Sequence, residues 1–262
     1  MKKVLSFLAI AAVVSLVACQ KSNPKKPSKE QDQKEQEQEK EQEPEYVVPI
    51  TIDGDFADWA KLDASKVASA KSDPASPWDA VKEIRCYADE AFVFYYIEYN
   101  SDVVADLLAS ANGSDDDGNP IGLPIRLNIN TDGEFTSGYT SYSLDGYDFI
   151  IEGSLAKDGK WTSFDGTMHQ RIDGSWSALK ELGLCTGAGK DNKYEICLPI
   201  VNFNSAAAES KVPMPMGEEF QTGIRFYTAD WGELANMPDG AVTDDNAKGY
   251  GHLLNVKVVP VE

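Results

Sequence analysis

Val81-Lys82-Glu83-Ile84-Arg85-Cys86-Tyr87, Ala88-Asp89-Glu90 and Ala91-Phe92-Val93-Phe94-Tyr95-Tyr96-Ile97-Glu98-Tyr99 form the stretch that decides the fold. Both arms are dense in aromatic and β-branched side chains, which are restricted on a helix and pack well on a pleated surface. The short polar link between them reads as a hairpin turn. Working outward, the same composition returns over Leu123 to Ile129, Tyr147 to Ile151, Lys193 to Ile200, Phe220 to Tyr227 and Leu253 to Val259. Turn clusters separate these runs: Asp132-Gly133, Asp158-Gly159, Asp165-Gly166, Asp173-Gly174 and Gly187 to Asn192. Asp102 to Ala111 predicts a helix, with Ser101 as N-cap and Val103, Leu107 and Leu108 on one face. Asn204 to Ser210 predicts a short helical turn. Many strands with one or two short helices predict an all-β fold. The expected form is a two-sheet antiparallel β-sandwich, jelly-roll or immunoglobulin-like.

The ends of the chain set the domain organisation. Residues 1–18 carry Lys2 and Lys3, an apolar run and small residues, the pattern of a cleaved secretory signal. Residues 19–45 hold no aliphatic or aromatic residue after Cys19 and run into a Gln/Glu/Lys tract, so nothing offsets the entropy of ordering them. They are expected to be a tether, and residues 46–262 a single domain. A formal net charge of −19 argues against nucleic acid or anionic lipid as a partner. Leu16-Val17-Ala18-Cys19 resembles the lipobox of bacterial lipoproteins. That resemblance implies fatty acylation of Cys19 and a lipid anchor in the membrane, and Gln20 resembles the outer-membrane sorting pattern. The expected location is the outer membrane, on either its periplasmic or its cell-surface face.

Within the domain, Ile50-Thr51-Ile52-Asp53-Gly54-Asp55-Phe56-Ala57-Asp58-Trp59 resembles the opening of family 9 carbohydrate-binding modules. Asn128 to Glu134, Gly146-Tyr147-Asp148-Phe149-Ile150-Ile151-Glu152-Gly153 and Tyr194-Glu195-Ile196-Cys197-Leu198-Pro199 are similar to later strands of that family and keep its order. The resemblance implies a β-sandwich that binds a glycan or polysaccharide, and it also implies a structural calcium ion. Calcium needs hard oxygen ligands, and Asn130, Asp132 and Glu134 alternate beside a glycine turn as the candidate set. Asp115-Asp116-Asp117-Gly118-Asn119 has its glycine too early for an EF-hand and reads as an exposed loop.

Pyranose rings present apolar C–H faces to aromatic rings, while their hydroxyls pair with carboxylates and amides. Aromatics in polar, turn-rich context are therefore the candidate ligand contacts: Trp78, Tyr139, Tyr142, Trp161 and, foremost, Trp231. Asp230, Glu233 and Asn236 stand near Trp231 in sequence as hydroxyl partners. Trp59 is expected to plug the core, and Trp176 to be structural. Asp148 and Glu152 share one strand face, either solvated or with Glu152 pinning a loop through backbone N–H groups. Cys185 and Cys197 flank a turn and are expected to form a disulfide, leaving Cys86 as a buried thiol; three small buried thiols is the competing reading. Only His169 and His252 are present, in no metal-ligand spacing, and no nucleophile elbow or phosphate-binding loop occurs. The chain is expected not to be an enzyme. Two other readings stand beside glycan capture: an interaction or structural lipoprotein holding another envelope protein, and, more weakly, a glycoside hydrolase.

Overall fold

The computed structural model describes residues 46–72, 80–134, 146–172, 175–181, 186–201, 217–238 and 253–261, the side chains of 168–172 and 175–181 excepted. Its strands are β1 (Ala68–Lys71), β2 (Val81–Asp89), β3 (Phe92–Tyr99), β4 (Gly122–Asn130), β5 (Phe149–Lys157), β6 (Lys160–Ile172), β7 (Ser175–Glu181), β8 (Thr186–Lys190), β9 (Lys193–Pro199), β10 (Glu219–Tyr227), β11 (Glu233–Met237) and β12 (Leu254–Val259). One α-helix, α1 (Val104–Ser110), interrupts them. The fold is all-β.

The β2–β3 hairpin forms as its composition predicts, in register from Val81↔Tyr99 to Ala88↔Val93. Asp89 closes it: one carboxylate oxygen accepts the N–H groups of Ala91 and Phe92, each at 2.8 Å. Hydrogen bonding orders the described strands as β7-β6-β5-β4-β10-β12-β2-β3-β9-β8, with β1 on β2 and β11 on β10. All pairings are antiparallel except β12 with β2, where Val258 and Val259 run parallel to Ala88 and Asp89. The described strands thus form one mixed sheet rather than a purely antiparallel one. It curls until β6 meets β8, where the Trp161 indole N–H donates to the Asp191 carbonyl at 3.0 Å. The sheet is nearly closed into a barrel.

Inside the curl lies the main core, built from alternate residues of facing strands such as Ile84, Tyr95, Leu127, Ile151, Phe164, Ile196 and Phe226. Burying each such side chain stabilises the fold by about 1.5–3 kcal/mol. Tyr95 and Thr222 share a hydroxyl hydrogen bond of 2.8 Å across this interior. A second apolar cluster, with Ile50, Trp59, Tyr87, Phe94, Tyr96 and Cys197, is roofed by the N-terminal segment. There Trp59 is buried, as expected, at the end of a 3-10 turn spanning Phe56–Ala60. Glu195 holds that roof down: its carboxylate accepts the Asp53 N–H at 3.1 Å, the Gly54 N–H at 2.9 Å and the Trp59 indole N–H at 3.2 Å. Burial pushes the Glu195 carboxyl above its usual range.

Several local expectations are corrected. Asp165-Gly166 is not a turn but mid-strand, with Gly166 opposite Gly153. The Phe164 ring lies against both glycines, and a Cβ at Gly153 would come within 2.6 Å of it. Glycine here makes room for a ring rather than bending the chain. Of Gly187 to Asn192, the first part is strand β8 and the turn is confined to Asp191-Asn192. Asp158-Gly159 is a turn as expected, with φ of +54° and +72°, the twist that favours a two-residue hairpin. Helix α1 is shorter than expected; Val103, not Ser101, occupies its N-cap and makes no side-chain hydrogen bond. Asn204 to Ser210 lies outside the described residues. Among the described residues no helix is long and apolar enough to cross a membrane.

Candidate functional site

The β10–β11 hairpin carries the principal feature. Tyr227 pairs with Glu233, and the chain between them closes through Thr228 N–H to the Gly232 carbonyl at 2.8 Å and Trp231 N–H to the Thr228 carbonyl at 2.9 Å. The Thr228 hydroxyl donates to the Asp230 carboxylate inside this turn, which holds the Asp230 carboxyl below its usual range. The left-handed position of the turn falls on Trp231, at φ +67°. A bulky L-residue there costs roughly 1–2 kcal/mol relative to glycine. The indole is nonetheless 50 % exposed. It rests on Tyr227, with ring centres 5.5 Å apart.

Behind the indole stands an ion pair. Arg126 on β4 faces Glu152 on β5 in register and donates from Nε to its carboxylate at 2.7 Å. The same guanidinium lies 5.7 Å from the Trp231 ring centre and 5.3 Å from that of Tyr227. Planar guanidinium groups favour such positions over aromatic faces. One held cation thereby links the sheet to the exposed ring.

Trp231 forms part of the wall of a cleft of about 1040 Å³. Its lining brings together Thr228 to Trp231 of the β10–β11 turn, Asp106, Leu107 and Ser110 of α1, and Val103 at the helix N-cap. The bulged region of β4 and β5 contributes Gly122, Pro124, Glu152, Ser154 and Lys157 to the same lining. Register shifts at Gly122/Pro124 and at Ser154/Ala156 re-aim these side chains, as bulges beside binding sites commonly do. Asp115 sits on the rim, its carboxylate accepting from Asp117 N–H, Asn119 N–H and the Asn119 side chain, and these bonds hold its carboxyl below the usual range. An apolar wall with a few placed polar groups suits a small organic ligand.

Of the ligand contacts expected from sequence, Trp231 and Asp230 line this cleft. Glu233 and Asn236 do not: they lie on β11, paired with Tyr227 and Arg225 respectively. Trp161 is also corrected. It packs against Tyr99 and Tyr194 at 5.9 and 5.4 Å, covers Gly189 and spends its N–H on Asp191, so it seals the β6–β8 contact. Trp78, Tyr139, Tyr142 and Cys185 lie outside the described residues, as does Cys19. Trp176 lies on β7, and Cys197 is buried on β9 opposite Thr186. Burial pushes the Cys86 thiol well up.

Asn130, Asp132 and Glu134, the candidate calcium ligands, lie together where β4 ends. Asn130 is fully buried and its oxygen accepts the Gly133 N–H at 2.8 Å, while an Asp132 oxygen accepts the Glu134 N–H at 2.7 Å. The Asn130 and Asp132 side-chain oxygens thus help fold the turn. Among the described residues no three His, Cys, Asp or Glu side chains are grouped to hold a metal. It is Asp148, rather than Glu152, that pins a loop: one oxygen accepts from Thr131 N–H, Thr131 hydroxyl and Asp132 N–H.

Sequence reasoning missed Arg126, Asp106 and the part played by α1. Arg126 had one visible signal, a lone cation inside the apolar run from Leu123 to Ile129. No sequence signal placed the helix across from Trp231. Neither a protein-family model nor a curated protein matches the chain.

Proposed function

We propose that this chain is a non-catalytic glycan-capturing domain. The observation that carries the reading is Trp231: a half-exposed indole kept in a strained backbone position on the wall of a cleft. Its face offers the apolar platform that pyranose C–H groups stack on. Asp230, Ser154 and Glu152 stand in the same cleft to pair with ring hydroxyls. Among the described residues the carboxyls pushed above their usual range are Asp148 and Glu195, neither on the cleft lining, and Glu152 is engaged by Arg126. That distribution supports capture rather than acid–base cleavage, which needs a raised acid facing the ligand.

The scaffold in this reading is a β-sandwich. We take β7-β6-β5-β4-β10 of the single curled sheet as one layer and β2-β3-β9-β8 as the other, joined through β12, which bonds to β10 and β2. Lipid on Cys19 and the tether of residues 19–45 would hold it at the outer membrane, where it meets polysaccharide. Titration of the full chain and of Trp231→Ala with a panel of neutral oligosaccharides, read by tryptophan fluorescence, tests the site. At least one glycan is expected to shift the parent and not the variant; identical responses throughout would remove the assignment. Incorporation of labelled fatty acid, abolished in Cys19→Ala, tests the anchor.

A further inference from the structure

The cleft is charged, and its charge is one-sided. Asp106, Asp115, Glu152 and Asp230 line it, against Lys157 as the one lysine or arginine among its described lining residues. Glu152 is balanced by Arg126 behind it. Three carboxylates therefore face one ammonium group. Asp115 and Asp230 both have their carboxyls lowered by hydrogen bonds from their own turns, so they stay ionised well into acid pH. Asp106 is exposed in the first turn of α1 and lines the same cleft as the indole. The whole chain adds to the same field at −19. A concave surface lined by one sign of charge concentrates ligands of the other sign and repels its own.

An indole face set among carboxylates is the pairing that recognises a cation on a carbon skeleton: the ring takes the apolar surface and the acids take the ammonium. Building on the glycan-capture reading, we propose that the cleft prefers a saccharide bearing a free, protonated amino group and rejects saccharides bearing uronic acid or sulfate. Asp106 is the specificity residue best placed for the ammonium, because among the described residues no hydrogen bond or ion pair engages its carboxylate. Asp115 and Asp230 keep their turn hydrogen bonds and act through their charge.

Binding of three oligosaccharides of equal length to the full chain tests this: a β-1,4-linked glucosamine oligomer, its fully N-acetylated counterpart and an oligogalacturonate. Isothermal titration at low and at high salt is the readout. The glucosamine oligomer is expected to bind about tenfold more tightly than the acetylated one at low salt, with the advantage falling towards unity in 0.5 M salt as screening shortens the field. Asp106→Asn is expected to remove several-fold of that advantage, read as the ratio of the two oligomers' affinities within the same variant. Equal binding of the two oligomers at low salt, or tighter binding of the oligogalacturonate, would overturn the charge preference while leaving glycan capture intact. If none of the three binds, the preference fails, and the neutral-oligosaccharide titration of the parent and Trp231→Ala decides the capture reading separately. A charge preference that persists in Trp231→Ala, with no loss of affinity, would place the ammonium outside this cleft and also overturn the proposal.

Discussion

The Arg126 guanidinium stands 5.7 Å from the centre of the Trp231 indole while donating at 2.7 Å to Glu152. Two adjacent strands thus hold the cation, and the cation supports a ring carried by a third strand's turn. Cation–ring contacts of this partly exposed kind contribute about 0.5–1 kcal/mol. That is comparable to the backbone cost of placing tryptophan at φ +67°, so the exposed ring is kept at little net gain in stability.

Trp231→Gly and Trp231→Ala are expected to lose glycan binding equally but to differ in stability. Glycine accepts φ +67° without the Cβ clash that alanine retains. The glycine variant should be the more stable by about 1 kcal/mol, the reverse of the usual order. Urea denaturation of the pair measures this; alanine equal to or above glycine would contradict the strain.

Gly153→Ala should destabilise the fold by about 2 kcal/mol, since its Cβ would lie 2.6 Å from the Phe164 ring and 2.8 Å from the Asp165 carbonyl. Phe164→Leu in the same chain should recover only part of that, because the carbonyl clash remains. A double-mutant cycle in denaturant reports the coupling.

Glu195→Ala is expected to cost on the order of 3 kcal/mol, as three donors lose their shared acceptor. Trp59 should then become more accessible, seen as a red-shifted emission and faster quenching by acrylamide. Unchanged stability would show that the N-terminal roof does not depend on this carboxylate.

Asp148 sets a pH dependence. Burial is the main cause that raises its carboxyl to about 6, against an ordinary 3.8, and one of its oxygens is buried without a hydrogen-bond partner. The folded state therefore holds the proton more tightly than the unfolded chain. Its contribution is fully present below pH 3.8 and is lost as pH rises through about 6, amounting to about 3 kcal/mol. Asp148→Asn should flatten the stability profile between these values. Glu195, raised in the same direction, should leave a smaller residual slope. A profile that is already flat in the parent would contradict the buried position of Asp148.

Alternation and composition made the β2–β3 hairpin, β4, β9, β10 and β12 legible, because β-branched and aromatic density reports on strands whose neighbours are local or strongly apolar. The short strands β1, β8 and β11 escaped notice, and so did the long strand β6. Thr186–Lys190 reads Thr-Gly-Ala-Gly-Lys, which carries no strand signal at all. It is a strand because Tyr194 and Trp161 lie where Cβ atoms at Gly187 and Gly189 would be. Asp165-Gly166 misled for the same reason: a glycine selected by a ring from another part of the pattern looks, in one dimension, like a turn.

By itself the sequence determined an all-β chain, several of its strands and turns, and an exposed-context tryptophan at position 231. Those properties depend on the residue and its near neighbours. Tertiary structure alone decided the curl that brings β6 to β8, the Arg126–Glu152 support, and the cleft between α1 and the β10–β11 turn. Each of these rests on residues far apart in sequence, such as Asp106 and Trp231 on the lining of one cleft, and no local propensity encodes such a meeting.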